Sequence, residues 1–261
     1  MAAARAAPIP FQGELGSINP VVITAAADAA RGPELASGLV GSVTLGSGQF
    51  CAKPGVVFLP EGSQVERQLA SLPVPPAHVM LTSSIAKGFA TGVQNLLSIP
   101  GVELVSGTPN GPLVVSASLE TLDAHTELLG EVSGPVTVLV RYGSDERLLA
   151  SLDILVGSLR ATLHSEPSDE TEALIERLER VSGRVLFAGG PTGVAVTWSA
   201  PRRAMAVHDV PVHVSGRDSP ARFLRPIAYQ DALAAALPPL LREDNPLGIP
   251  RRVDGALMGA A

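Results

Sequence analysis

Short runs of β-branched and aliphatic residues alternate along this chain with longer stretches whose apolar residues recur at helical spacing, and that alternation restricts the fold more than any single motif. Val21 to Thr24, Val56 to Leu59, Leu113 to Ser118, Val136 to Arg141, Arg160 to His164 and Arg184 to Phe187 read as short buried strands bounded by Gly or Pro. Helices fit between them. Pro33 and Glu34 suit the first turn of a helix running to about Leu45, and Thr82 is placed to cap one that continues to about Ser98. Asp145 to Val156 and Ser168 to Val181 complete the set, the last with Ala173, Leu174, Leu178 and Val181 on one stripe and charges on the other face. Strand and helix in repeated alternation imply a three-layer α/β fold with an open, mostly parallel sheet, because parallel neighbours need crossover connections. Beyond about Pro201 the pattern decays into a polar loop, His208 to Pro220, then a strand-like Phe223 to Tyr229 and a short helix near Asp231 to Leu237.

Composition narrows the partners. The 261 residues suffice for a large core, and 46% hydrophobic with 17% charged residues is a globular balance. A net charge of −6 and only 3% aromatics speak against a basic, stacking nucleic-acid surface. The apolar runs Val21 to Ala30 and Leu233 to Leu241 are interrupted by Asp28 or by Pro238 and Pro239, too short for a membrane span. One cysteine, Cys51, forms no internal disulfide, and Met1 to Phe11 lacks the apolar segment of a signal peptide. The expectation is a cytoplasmic protein with neither membrane nor nucleic acid as partner.

Several familiar motifs fail. Gly41 to Gly48 is glycine-rich but lacks the Lys-Ser/Thr of a phosphate loop and the spacing of a dinucleotide fingerprint. Ser84 to Lys87 matches Ser-x-x-Lys without the partner motifs that give it meaning, and no Gly-x-Ser-x-Gly elbow occurs. His208 and His213 lack the spacing of a metal helix, and no metal site is expected.

Two segments remain. Cys51 sits in Gly48-Gln49-Phe50-Cys51-Ala52-Lys53-Pro54-Gly55, between a helical stretch and a strand. A lone intracellular cysteine is more often a small core hydrophobe than a nucleophile. Flanking glycines, however, let backbone approach a ligand closely, and strand-entry loops carry chemistry in α/β enzymes. Lys53 is read either as a cation that stabilises a thiolate or as a solvated surface lysine. Upstream, Gly13-Glu14-Leu15-Gly16-Ser17-Ile18-Asn19-Pro20 places a carboxylate just before the first strand, where Glu14 is either a turn residue or a base.

Together these motifs resemble the aldehyde dehydrogenase superfamily, whose general-base glutamate lies in a Glu-Leu-Gly motif and whose nucleophile follows in Gly-Gln-x-Cys. The resemblance is closest to the branch with NADP-preferring fatty aldehyde and 2,5-dioxopentanoate (α-ketoglutaric semialdehyde) dehydrogenases. It extends through Pro8-Ile9-Pro10-Phe11, Glu131-Val132-Ser133-Gly134-Pro135, Pro191-Thr192-Gly193-Val194, Arg222-Phe223-Leu224-Arg225-Pro226 and Asn245-Pro246-Leu247-Gly248. It implies Cys51 as nucleophile, Glu14 as the base that activates water, and Glu131 as a ligand of the ribose of NADP or NAD. Without the resemblance, Glu131 is equally an acidic turn residue before Gly134-Pro135.

The resemblance also implies a division of the chain: 1–13 preceding the catalytic domain, 14–221 the catalytic domain, and 222–261 an oligomerisation-type tail, with the family's amino-terminal coenzyme domain absent. Ser133 and Ala52 stand where relatives carry an aromatic and a Thr. Two expectations follow. One is oxidation of a small-molecule aldehyde through a cysteine thiohemiacetal and thioester; the other is a truncated product without dehydrogenase activity that keeps the fold and an assembly surface. Either is expected to form a homo-oligomer or to associate with an intact subunit, with Phe223 to Tyr229 as the edge.

Overall fold

A computed structural model describes residues 16–73, 75–76, 78–187, 189–190, 192, 202–203, 213–215, 229–230, 232–233 and 237–259. The chain divides into two compact units, Met1–Arg222 and Phe223–Ala261.

In the first unit the elements follow as β1 (Val21–Ile23), α1 (Ala25–Thr44), β2 (Val56–Pro60), α2 (Gln64–Ser71), α3 (Ser83–Ser98), β3 (Glu103–Gly107), β4 (Leu113–Ser118), α4 (Leu119–Ala124), β5 (Val136–Tyr142), α5 (Asp145–Leu152), β6 (Ala161–His164), α6 (Glu172–Val181) and β7 (Val185–Leu186). The seven strands form one sheet in the order β3-β4-β5-β2-β1-β6-β7. Every pairing is parallel except β3 with β4. This is the expected α/β architecture. Residues 202–203 and 213–215 form a separate antiparallel pair.

The strands read as continuous apolar runs because both faces are covered. Alternation along β2 sends Val56 and Phe58 to one face and Val57 and Leu59 to the other. The first face packs on α3 to α6 through Phe89, Val93, Leu122, Leu148, Leu152 and Leu178. Leu35, Leu39, Val65 and Leu69 of α1 and α2 close the second.

Three local features differ from the sequence reading. Helix α1 begins at Ala25, eight residues before Pro33, because the Thr24 hydroxyl accepts the Ala27 N–H as an N-cap; Arg31 then leaves helical φ/ψ two residues ahead of Pro33. Helix α6 starts at Glu172, and Ser168 lies outside it. Elements β3, α2 and α4 were not anticipated. The edge strand β3 carries an exposed Glu103 and Leu104, so it lacks the apolar run that marks its neighbours. Thr82 does cap α3, accepting from the Ile85 N–H at 3.2 Å.

In the second unit a hairpin of β8 (Arg251–Val253) and β9 (Ala256–Met258) turns at Asp254-Gly255, both with positive φ, as a two-residue hairpin turn requires. The expected strand at Phe223 to Tyr229 and helix near Asp231 to Leu237 fall mainly outside the described residues.

Candidate active site

Cys51 enters the structure on the turn Phe50 to Lys53, closed by the Lys53 N–H donating to the Phe50 carbonyl at 3.0 Å. The turn stands at the amino end of β2, and its thiol side is exposed. Glu131 lies in the loop at the amino end of β5, also exposed. Since β5, β2, β1 and β6 are consecutive neighbours in a parallel stretch of the sheet, the loops that lead into them converge on one edge.

Two contacts tie the cysteine and glutamate loops together. The Gly134 N–H donates to the Gly48 carbonyl at 3.1 Å. Gly48 has φ +64, and a Cβ on it would lie 2.3 Å from the Gly134 carbonyl carbon, so only glycine permits this approach. The second tie runs through the segment before β1. One oxygen of Glu131 accepts the Ser17 N–H at 3.0 Å; the Ser17 hydroxyl donates to Asn19 Oδ1 at 2.7 Å; Asn19 Nδ2 donates to the carbonyls of Cys51 at 2.8 Å and Lys53 at 2.9 Å. Gly16 sits against the same carboxylate, where a Cβ would lie 3.0 Å from Glu131 Oε2.

Lys53 is buried, with 5% of its surface exposed, and its Nζ donates to the Val136 carbonyl at 2.7 Å. The solvated-lysine reading is therefore corrected: the side chain is buried and its amine is held at the first residue of β5. Burial lowers its pKa to about 8, with the negative charge of Glu131 acting in the opposite sense.

The structure thus brings Cys51 and Glu131 into one connected set of loops. Glu14 lies outside the described residues, two positions before Gly16 in the sequence. Sequence reasoning passed over Ser17 and Asn19, although both stand inside the quoted motif. Their signal was a pair of short polar residues in an otherwise apolar approach to β1, which must find partners once buried.

Phe50 of the turn is 53% exposed and rests on Gly46, Leu45 is also exposed, and the backbone N–H of the exposed Leu81 donates to the Gln49 side chain. Among the described residues, no group of three or more His, Cys, Asp or Glu could hold a metal ion, and no helix is long and apolar enough to cross a membrane.

No family model matches the chain. It is 38% identical over 270 residues to alpha-ketoglutaric semialdehyde dehydrogenase 2 of Azospirillum brasilense, a match covering 98% of this chain and 51% of that protein. Alpha-ketoglutaric semialdehyde dehydrogenase of Acinetobacter baylyi is 33% identical over 277 residues, covering 97% of this chain and 51% of its own. The chain spans about half the length of these curated relatives. Among solved structures, aldehyde dehydrogenase 21 of Physcomitrella patens shares the fold with a TM-score of 0.56 at 15% identity, over 73% of this chain and 42% of that one. Similarity along nearly all of its length, on a sheet of the same architecture, shows that the chain belongs to the aldehyde dehydrogenase superfamily.

Proposed function

We propose that this chain carries the thiol half of an NAD(P)-dependent enzyme that oxidises a semialdehyde to a carboxylate. The observation that carries the reading is an exposed cysteine on a turn whose backbone is held from below, joined through Asn19 and Ser17 to an exposed glutamate. In this reading the Cys51 thiolate adds to the aldehyde carbonyl and forms a thiohemiacetal. A sulfur nucleophile suits the task because the thioester that follows is reactive enough to hydrolyse. Glu14 takes a proton from the water that attacks the thioester carbonyl, and the thiolate leaves with its electron pair.

The nicotinamide nucleotide supplies the hydride acceptor. Glu131 fits a role in holding its ribose: one carboxylate oxygen is occupied by the Ser17 N–H, which sets the orientation of the group at an exposed position. The name of the relatives motivates the semialdehyde, and the choice between NAD and NADP stays at the level of the family. The domain division at 14–221 and 222–261, association with a second copy or an intact subunit, and a cytoplasmic location belong to the same proposal.

The test is the alkylation rate of Cys51 by iodoacetamide in the purified chain. Faster labelling than a free cysteine, slowed by Glu14→Gln, is expected; equal rates in all three would leave Cys51 an ordinary thiol.

A further inference from the structure

Every hydrogen-bonding position of the Asn19 side chain is occupied. Its Oδ1 accepts from the Ser17 hydroxyl at 2.7 Å and from the Arg160 backbone N–H at 3.2 Å, while Nδ2 donates to the carbonyls of Cys51 and Lys53. The two N–H donors and two acceptor positions of an amide are thereby used in full, and only one orientation of the group satisfies them. The residue is completely buried and holds φ at +48°, a conformation that asparagine tolerates better than other non-glycine residues but still at a cost.

The strained residue is spent on one four-residue turn. Asn19 grips the carbonyls of Cys51 and Lys53, while the turn's own bond joins Phe50 and Lys53 and the Lys53 side chain anchors to Val136. The Asn19 amide, the turn's own bond and the Lys53 anchor restrain its backbone, while Cys51 itself is exposed. Ser17 in turn is braced by the Leu159 N–H, which donates to its hydroxyl at 2.9 Å, so the clamp is fixed to the loop before β6.

We infer that Asn19, braced by Ser17, is a positioning residue for the nucleophile turn: its amide fixes the backbone from which the Cys51 thiolate attacks a carbonyl. The inference rests on the reading of Cys51 as the nucleophile. Its physical basis is that a reacting sulfur must be held within a fraction of an ångström of its line of approach, and a misplacement of about 1 Å costs about a hundredfold in rate.

Acylation of Cys51 by p-nitrophenyl acetate tests it without any coenzyme. The thiolate attacks the acetyl carbonyl, the ester C–O bond breaks, p-nitrophenolate departs with the electron pair and is read by absorbance, and the acetyl thioester remains; the thiol proton passes to buffer. The informative variant is Asn19→Asp, which keeps both acceptor roles and removes the donation to Cys51 and Lys53. It is expected to lower the limiting burst rate constant about ten- to a hundredfold, with the half-saturating ester concentration unchanged. Leu122→Ala, a core change within the α3 to α6 layer, serves as the stability control: it lowers the melting temperature but not the burst rate constant. Ser17→Ala, which removes one brace and keeps the N–H to Glu131, is expected to slow the burst less than Asn19→Asp.

An Asn19→Asp protein that folds and acylates at the parent rate overturns the inference, as does a loss confined to the half-saturating concentration or matched by Leu122→Ala. Should Asn19→Asp fail to fold, Ser17→Ala decides: slowing supports the inference and the parent rate overturns it. If the parent chain itself acylates no faster than a free cysteine, the reading of Cys51 as nucleophile fails, and the positioning role with it.

Discussion

Gly48 and Gly134 meet backbone to backbone, the amide of one donating to the carbonyl of the other at 3.1 Å, and this contact seats the cysteine loop on the glutamate loop. Neither position admits a side chain: a Cβ on Gly48 would lie 2.3 Å from Gly134 carbonyl atoms, and one on Gly134 would lie 2.3 Å from the Phe89 ring. Gly48→Ala therefore meets both a clash with rigid backbone and a positive φ. The expected loss is about 2–4 kcal/mol of stability, read from the urea midpoint. Slower alkylation of Cys51 should accompany it, because the turn follows within three residues.

Asp28 is buried in α1 and serves a different helix. Its carboxylate accepts from the Ser63 hydroxyl at 2.5 Å and from the backbone N–H groups of Gln64 and Val65 at 2.8 and 3.0 Å, satisfying the first turn of α2. Asp28→Ala leaves those donors buried without a partner and is expected to cost about 2–4 kcal/mol. Chemical denaturation measures this, and a loss well below 1 kcal/mol would show that water replaces the carboxylate.

Lys53 makes stability depend on alkaline pH. Burial brings its pKa down from 10.5 to about 8, so between these values the unfolded chain binds more protons than the folded one. Stability from this group rises with pH across that window, by about 3 kcal/mol in total. Lys53→Met removes the rise. The check is the difference in unfolding free energy between parent and variant at pH 7.5 and above; a difference independent of pH would contradict it.

His164 acts in the acid range. It ends β6 and lines a cavity of about 200 Å³ with Arg31 and Glu34 of α1, and its buried Nδ1 has no hydrogen-bond partner among the described residues. Desolvation first, and then the positive charge of Arg31, lower its pKa from 6.5 to about 4. The folded state holds the ring neutral, so its contribution is complete above pH 6.5 and lost as pH falls toward 4, by about 3 kcal/mol. His164→Gln should flatten the acid limb of the stability curve between those values, and an unaltered limb would rule the ring out as its cause.

Much of the architecture was present in the order of residues. The strands of the sheet interior are local apolar runs, and Leu113–Ser118 was read to the residue because a buried parallel strand needs nothing but β-branched and aliphatic side chains. The cap of α3 was equally local, since Thr82 acts on an N–H three residues away. Cys51 and Glu131 were singled out by their motifs. Other features depend on distance through space. Strand β3 lies at an edge and carries no burial signal, and α2 is held by Asp28, 36 residues from Gln64. Lys53 reads equally as a thiolate's cation or as a surface charge in the sequence, because its partner, Val136, is 83 positions away. Asn19 shows its meaning only when β1, β2 and β6 are side by side, for its partners come from the loops that precede all three. Local sequence sets which segments bury an apolar face; the sheet order decides which buried polar groups meet, because hydrogen bonds are satisfied across the fold rather than along the chain.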